Sequence, residues 1–593
     1  MKKIKRLLAA LLCVITVVCA TGCGGRAIKR RNTVSDYEKQ FDEYCDKVFK
    51  SSLEQEPFSL VYTLYDYEQY GIGVSDDDKT LGVMDYDSYV ESYEHSEQEL
   101  EELNNFDRNR LSTERQHTYD TLVWLYDTGL EFKDGYYMQR AIGAGSGFIC
   151  NLVTNFTEYC FRREQDVKDY FLYMESIPPY YESYIKFCNK QAEKGLFVND
   201  DVIKQNIEYC DKMLDTDAKV YIDTFENRIK SLDLSDSDKE AYIEKNKEYV
   251  QKYVIPMYKD SKSALKNLLG TSKNERGMAG FGEEGKKYYE AIVRDKTGSD
   301  MSTEEVIEYI DAKIKALYLD LYSLMTSNPD ILDQYDKFEI SMTDPDEVMK
   351  FIISKMGDDF PEPVTTDYNI EYLDKSSEVE TTMAYYITPP IDNIGINNIK
   401  INGSALADNT IQTYVSIAHE GIPGHMMQYT SFFNNENISN VRKYAGIIAP
   451  SEGWAQYASL NTLEYIVEEE GYKKDLAEII AIDERIGYLI QTRFDLGVNY
   501  EDWDLDDANA YAKGMYDEEV VKILYDAVVG DPGEIIPYAY GTEYMYDLRD
   551  EYFDKKGKDV KGFNTFIINS GILPFPLYEK YMQKSDYRWF LQI

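Results

Sequence analysis

Apolar residues recur at helical spacing along most of this chain, and that regularity narrows the fold more than any motif does. Residues 35–55, 86–106, 112–131, 165–194, 199–231 and 235–268 each carry a hydrophobic stripe of helical period. Such stripes are stable only when buried against one another, so layers of packed helices are expected. Ser302 followed by Glu305 makes a capping-box pattern, which predicts a helix running to Met325. In the C-terminal half, helices are expected from about Thr410, from Glu452 to about 468, and over 473–498, 505–529 and 534–554. Strand signals are confined to A-Y-Y-I-T (384–388) and N-I-K-I-N (398–402), set between proline and glycine. The reading is a mainly α protein with a small β-sheet. At 593 residues the chain outgrows a usual single core. Two helical lobes around a deep cleft are therefore expected, one mainly 35–340 and one mainly 341–593.

The first 22 residues read as a leader. Lys2, Lys3, Lys5 and Arg6 precede an apolar run over 7–20 that is short for a membrane span. The run ends A-T-G-C, a lipobox-like pattern that predicts cleavage before Cys23 and a lipid on its thiol. An ordinary secretory signal cut nearby is the other reading. Residues 23–34 would form a tether in which Arg26, Lys29, Arg30 and Arg31 can meet anionic head groups. The implied place is the extracytoplasmic face of a cell membrane, held there by the lipid. The formal net charge of −43 argues against nucleic acid as a partner, since phosphates need Lys and Arg. Acidity with few aromatics would suggest disorder, but 54 tyrosines support a packed chain. Beyond Cys23 the cysteines are Cys45, Cys150, Cys160, Cys188 and Cys210, an odd number without C-x-x-C spacing. They read as buried thiols, with a disulfide within 150–210 left open.

The chain has only four histidines, and two of them lie in H-E-G-I-P-G-H (419–425). Neutral imidazole is a good ligand for zinc, and a catalytic zinc takes three protein ligands and leaves one position for water. A carboxylate beside such a site, not on the metal, can take the water's proton. His419 and His425 are the candidate ligands and Glu420 the candidate base. The spacing is six, not the four of H-E-x-x-H, so an unbroken helix would turn the second histidine about 120° from the first. Pro423 would clash with the carbonyl of His419, and Gly424 tolerates distortion. A helix interrupted or widened near 422–424 is therefore expected, bringing His425 back toward His419. Glu452, in S-E-G-W-A-Q-Y-A (451–458), is the candidate third ligand, because a carboxylate in an apolar wall needs a partner. A first-turn Glu favoured by the helix dipole is the plainer reading. His95 and His117 sit among charges and read as non-ligands.

At these residues the chain resembles the bacterial "domain of unknown function 885" proteins, which are similar to zincin-type metallopeptidases. The resemblance rests on H-E-x-x-P-G-H-x-x-Q, including Gln428, and on E-G-W-A-x-Y. It extends upstream to L-S-T-E-R-Q-H-T-Y-D (111–120), G-K-K-Y-Y-E (285–290), A-Y-Y-I-T-P-P and N-N-I-K-I-N. Downstream it includes D-L-G-V-N (495–499), P-G-x-x-x-x-Y-x-x-G (532–541) and F-N…G-I-L-P (563–574). It implies a zincin-like fold with the sheet beside the zinc helix, one Zn2+ on His419, His425 and Glu452, and a peptide substrate. It also brings Tyr538 near the site, where a phenol can donate to a developing oxyanion. One more core-edge tyrosine is the alternative. Two departures stand out: Asn499 and Asn564 occupy positions where family members often have His. The expectation is a lipid-anchored zinc metallopeptidase. A surface lipoprotein that binds peptides or other ligands without cleaving them is the alternative, and a zinc hydrolase of cell-wall amides shares the same ligands.

Overall fold

A computed structural model describes residues 35–272, 274–373, 383–395, 397–406 and 410–583. The leader, the tether and Cys23 lie outside the described residues. The described chain is mainly helical with one small sheet. Caps start its helices where the side chains allow. Ser35 with Glu38 and Ser302 with Glu305 both form the reciprocal capping box, satisfying backbone donors that the first helical turn leaves open.

Several long stripes are each cut in two, for local reasons. The 165–194 stripe becomes Glu164–Glu175 and Ile177–Lys194, the second opening with Pro178 and Pro179. Proline suits a first turn, where its missing N–H costs no helical bond. The 199–231 stripe divides at Asp217 and Ala218, both at φ 50°. The 505–529 stripe divides into Leu505–Tyr511 and Glu518–Gly530 across Gly514, at φ 87°. The 235–268 stripe stays continuous, but widens to a π-turn at Val250–Val254 just before Pro256, a usual way of accommodating a lost backbone donor.

Three strands, β1 (Tyr368–Tyr372), β2 (Ala384–Ile387) and β3 (Asn397–Ile401), make the sheet in the order β1-β3-β2. β2 runs antiparallel to β3, with Tyr386 opposite Ile399. β1 runs parallel to β3. Its Y-N-I-E-Y is only half-buried and alternates weakly, so it carries little strand signal. β3 alternates cleanly, burying Asn397, Ile399 and Ile401. β2 is an edge strand, and its outer side faces the candidate site.

Three apolar clusters form the interior. One gathers Phe148, Tyr170, Tyr221, Tyr258 and their neighbours from the N-terminal helices. A smaller one joins Phe41, Phe49 and Trp124 to Phe432, Tyr444 and Ile572. The largest joins Met138 to buried residues between Met278 and Met582. Helices Glu283–Thr297 and Thr303–Ser327 contribute Tyr289, Val306 and Ile310 to it, so the expected lobe boundary near 340 falls inside one core. Cys45, Cys150, Cys160, Cys188 and Cys210 are all free thiols, so no disulfide links the 150–210 region. Among the described residues no helix is long and apolar enough to cross a membrane.

One crossing in the largest core sets the position of the site. Helix Ile448–Glu469 meets helix Ile536–Lys556 at Gly453 and Gly541. A Cβ on Gly453 would lie 2.3 Å from the backbone of Gly541, and one on Gly541 would lie 2.2 Å from the Ala449 carbonyl. Backbone cannot yield as a side-chain tip can. Gly453→Ala and Gly541→Ala are each expected to destabilise the fold by about 1–3 kcal/mol, the usual result of overpacking. Gly487→Ala, in a helix where a Cβ meets nothing within 4 Å, is expected to be neutral or stabilising by up to about 1 kcal/mol. Urea unfolding of the three variants checks this ordering.

Candidate metal centre

The motif folds as two helices and a tight turn. Thr410–Glu420 ends at the pair His419-Glu420, and His425–Asn434 begins with His425. Between them Gly421–Gly424 wraps the chain back on itself. The Gly424 N–H donates to the Ala418 carbonyl at 3.0 Å, and the Met426 N–H to the Gly421 carbonyl at 3.1 Å. A Cβ on Gly424 would lie 1.9 Å from the His419 carbonyl oxygen, so only glycine permits this approach. The Ile422–Pro423 peptide is cis. The expected distortion is thus an interruption, and it brings the two rings edge to face with centroids 4.7 Å apart.

Glu452 comes from the second turn of helix Ile448–Glu469. Its Oε2 lies 3.2 Å from Nε2 of His419 and 3.2 Å from Nε2 of His425. The neighbouring residues hold it there. Gly453 lets the crossing helix approach, and the Trp454 indole N–H donates to the Pro423 carbonyl at 3.1 Å, tying this helix to the turn. Tyr429 donates to Ser451 at 3.0 Å and Ser451 donates to Gln428 at 3.2 Å, a short relay beside His425. E-G-W-A is therefore one donor atom followed by two residues that fix where it points.

Glu420 sits on the other side. One of its oxygens accepts from the Tyr386 N–H of β2 at 2.8 Å, and the other lies 3.9 Å from Nε2 of His419. Its carboxylate also falls within 4.8 Å of donor atoms on both histidines. Glu452 has the closer contacts to the imidazoles, whereas Glu420 is held by the sheet edge. Tyr538, in the first turn of helix Ile536–Lys556, stacks near His419 at 6.4 Å and on Tyr488 at 5.8 Å. The five residues singled out from the sequence near this motif, His419, Glu420, His425, Glu452 and Tyr538, thus lie together. Tyr386 and Tyr488 join them and carry no sequence signal of their own; only the strand pattern around 386 places that residue near the motif helix.

The electrostatics follow from burial. Desolvation would push the Glu452 carboxyl up, but the two imidazoles overcome it and hold Glu452 well below the usual carboxylate range. Burial would pull His425 down, yet the Glu452 charge and hydrogen bond push it up to about 9. Glu420 is raised, chiefly by desolvation and further by Glu452, against the pull of both imidazoles. The Tyr538 phenol is driven far upward by the charge on Glu452 and then by burial, so it keeps its proton. Two carboxylates are buried here with no lysine or arginine among the charges that act on them.

A divalent cation fits this donor set. Ligand atoms at about 2.0–2.1 Å from a tetrahedral ion lie roughly 3.3 Å apart, close to the 3.2 Å from Glu452 Oε2 to Nε2 of each histidine. A dication would also neutralise two carboxylates that otherwise rely on charging the imidazoles.

The remaining residues of interest lie elsewhere. Asn499 is fully buried; its side chain accepts from the Met278 N–H at 2.8 Å and donates to Asp495 and to the Val528 carbonyl, each at 3.0 Å. Asn564 donates to the Asp359 carbonyl at 2.8 Å. Neither touches a site residue. His95 pairs with Glu99 at 3.1 Å, and His117 stacks on Tyr581.

A family model described as a bacterial protein of unknown function (DUF885) matches residues 67–582. Among curated proteins none matches the chain. Among solved structures, a candidate lipoprotein from Colwellia psychrerythraea is similar, with a TM-score of 0.79 at 14% identity, covering 94% of this chain and 100% of that one. A candidate lipoprotein of unknown function from Shewanella oneidensis gives a TM-score of 0.59 at 16% identity, covering 93% of this chain and 100% of that one. At such identities the likeness speaks to the fold.

The Asp495 network yields a test that needs no metal. Asp495 accepts from Tyr289 at 2.6 Å and from the Gly533 N–H at 2.7 Å, and burial pushes it up to about 7. A carboxyl raised above its unfolded value near 3.9 binds a proton more tightly when folded, so its contribution to stability is lost as pH rises toward 7. Between pH 5 and pH 8 the wild type is expected to lose about 2–3 kcal/mol more stability than Asp495→Asn. Urea midpoints at the two pH values measure the difference.

Proposed function

The chain belongs to the DUF885 family of bacterial proteins, and on that footing we propose that it is a zinc-dependent peptidase. In this reading it is anchored through a lipid on Cys23 at the extracytoplasmic face of the membrane. The observation that carries the reading is the convergence of both imidazoles on Glu452, with Glu420 held beside them and off the shared oxygen. His419, His425 and Glu452 would hold the ion, a nitrogen–nitrogen–oxygen set that suits zinc. When bound, zinc acidifies water and polarises a carbonyl.

The chain's own groups supply the rest. Burial raises Glu420 and so improves it as a proton acceptor at neutral pH, and the Tyr386 N–H fixes its orientation. Glu420 takes the proton of the attacking water and returns it to the leaving amine. Tyr538 stays protonated and donates to the oxyanion of the tetrahedral intermediate. As an edge strand beside Glu420, β2 is placed to meet an extended peptide backbone on either side of the Tyr386 N–H that Glu420 takes, in the manner that the resemblance to zincin-like folds implies.

The alternative, a lipoprotein that binds peptides without cleaving them, drew its support from Asn499 and Asn564. Both make hydrogen bonds to groups other than the residues of the candidate metal centre.

The purified, metal-loaded chain is expected to cleave members of a mixed peptide library and to stop when a chelator is added. Glu420→Gln should keep its metal by elemental analysis and lose about 10²–10⁴-fold in rate. Cleavage at the wild-type rate by this variant, or cleavage indifferent to chelator, would remove the proposal. Tyr538→Phe should lower kcat by roughly 10–10³-fold with a small change in KM, as expected for a donor used in the transition state.

A further inference from the structure

A cavity lies away from the histidines. It is a cavity of about 100 Å³ between helices Asp36–Gln55, Tyr86–Asn104, Thr113–Leu130 and Asn440–Tyr444, closed on one side by Asp295. None of its lining residues belongs to the candidate metal centre. Its walls are mostly apolar or aromatic, with Leu122, Leu125, Tyr93, Tyr126 and Tyr444 among them. A buried space of this size can hold several heavy atoms, where a single water needs only about 10–15 Å³.

Its polar groups all have one character. The ionisable carboxyls in the lining are Glu56, Glu99 and Asp295, and no lysine, arginine or histidine joins them. Glu99 is held by Tyr126 at 3.0 Å and by His95 at 3.1 Å, and Glu56 accepts from Tyr444 at 3.3 Å. Asp295 differs. The charges acting on it are those of Lys296 and Glu534, and Lys296 is itself paired with Glu534 at 2.8 Å. No hydrogen bond to its carboxylate forms among the described residues. Protein surrounds it, yet it keeps some exposed surface, as a group facing an internal space would. Thr128, also in the lining, is 1% exposed and its hydroxyl has no partner among the described residues. Buried polar groups ordinarily have partners; the Thr128 hydroxyl has none, and the partly exposed Asp295 carboxyl on the same cavity accepts no hydrogen bond among the described residues, so both can engage a donor that enters it.

We propose that this cavity binds a small organic cation, an amine or ammonium on an apolar body, with its charge on Asp295 and its body against Tyr93, Tyr126 and Tyr444. Negative lining excludes an anion. A bare metal ion needs several converging oxygens, and leucine, valine and tyrosine walls do not supply them. A cation with an apolar body satisfies both halves: carboxylate for the charge, aromatic faces for the rest.

Benzylamine is the probe, benzyl alcohol its neutral counterpart, and titration calorimetry on the full metal-loaded chain the measurement. Benzylamine is expected to bind at least tenfold more tightly than benzyl alcohol. Asp295→Asn, which keeps the side chain's shape, should remove that preference. Ser96→Leu, which fills the space from helix Tyr86–Asn104, should abolish binding of both. Peptide cleavage should be unchanged in either variant, which separates this site from the proposed peptidase. Absence of binding, equal affinity for amine and alcohol, persistence of binding in Ser96→Leu, or loss of binding on adding chelator would each overturn the assignment. The last would mean that the amine sits on the metal.

Discussion

Two carboxylates buried against two imidazoles set the terms for everything around them. Glu420 and Glu452 are largely withdrawn from water, with no lysine or arginine among the charges that act on them. Charge in such a place must be matched, by protonating imidazole or by binding a cation. The chain makes this tolerable by fixing each carboxylate with a different device. Glu452 shares one oxygen between both histidines, and Glu420 takes a backbone N–H from the edge of the sheet. That division gives two identical side chains different roles, one at the shared oxygen and one standing back.

The surrounding architecture serves to hold this geometry. A broken helix returns His425 to His419 because Gly424 can lie against the His419 carbonyl. A glycine-to-glycine crossing lets helix Ile448–Glu469 approach helix Ile536–Lys556, so that Glu452 and Tyr538 share one site. Trp454 joins the second helix to the turn of the first through the Pro423 carbonyl. Each contact involves backbone, which moves less than side chains do, so the arrangement of these side chains is held firmly.

The likeness to two solved structures agrees with this fold over nearly the whole chain. The asparagines at 499 and 564 gain their meaning only in place. Asn499 ties Met278, Asp495 and Val528 together inside the largest core.

Much was legible in the order of residues alone. Helical periodicity determined the fold class, because a stripe must be buried whatever its neighbours. The six-residue spacing with Pro423-Gly424 between determined that the helix breaks, because proline and glycine act locally. Stripes cut by positive φ at Asp217 and Ala218, and the weakly patterned strand β1, were not legible, since neither carries a strong local signal. Only the tertiary structure decided that Tyr386 would steady Glu420, that Tyr488 would stack on Tyr538, and that Asp295 would face a cavity. Those are contacts between segments far apart in the chain. Local chemistry cannot choose among 54 tyrosines or single out one aspartate; the packing of whole helices does.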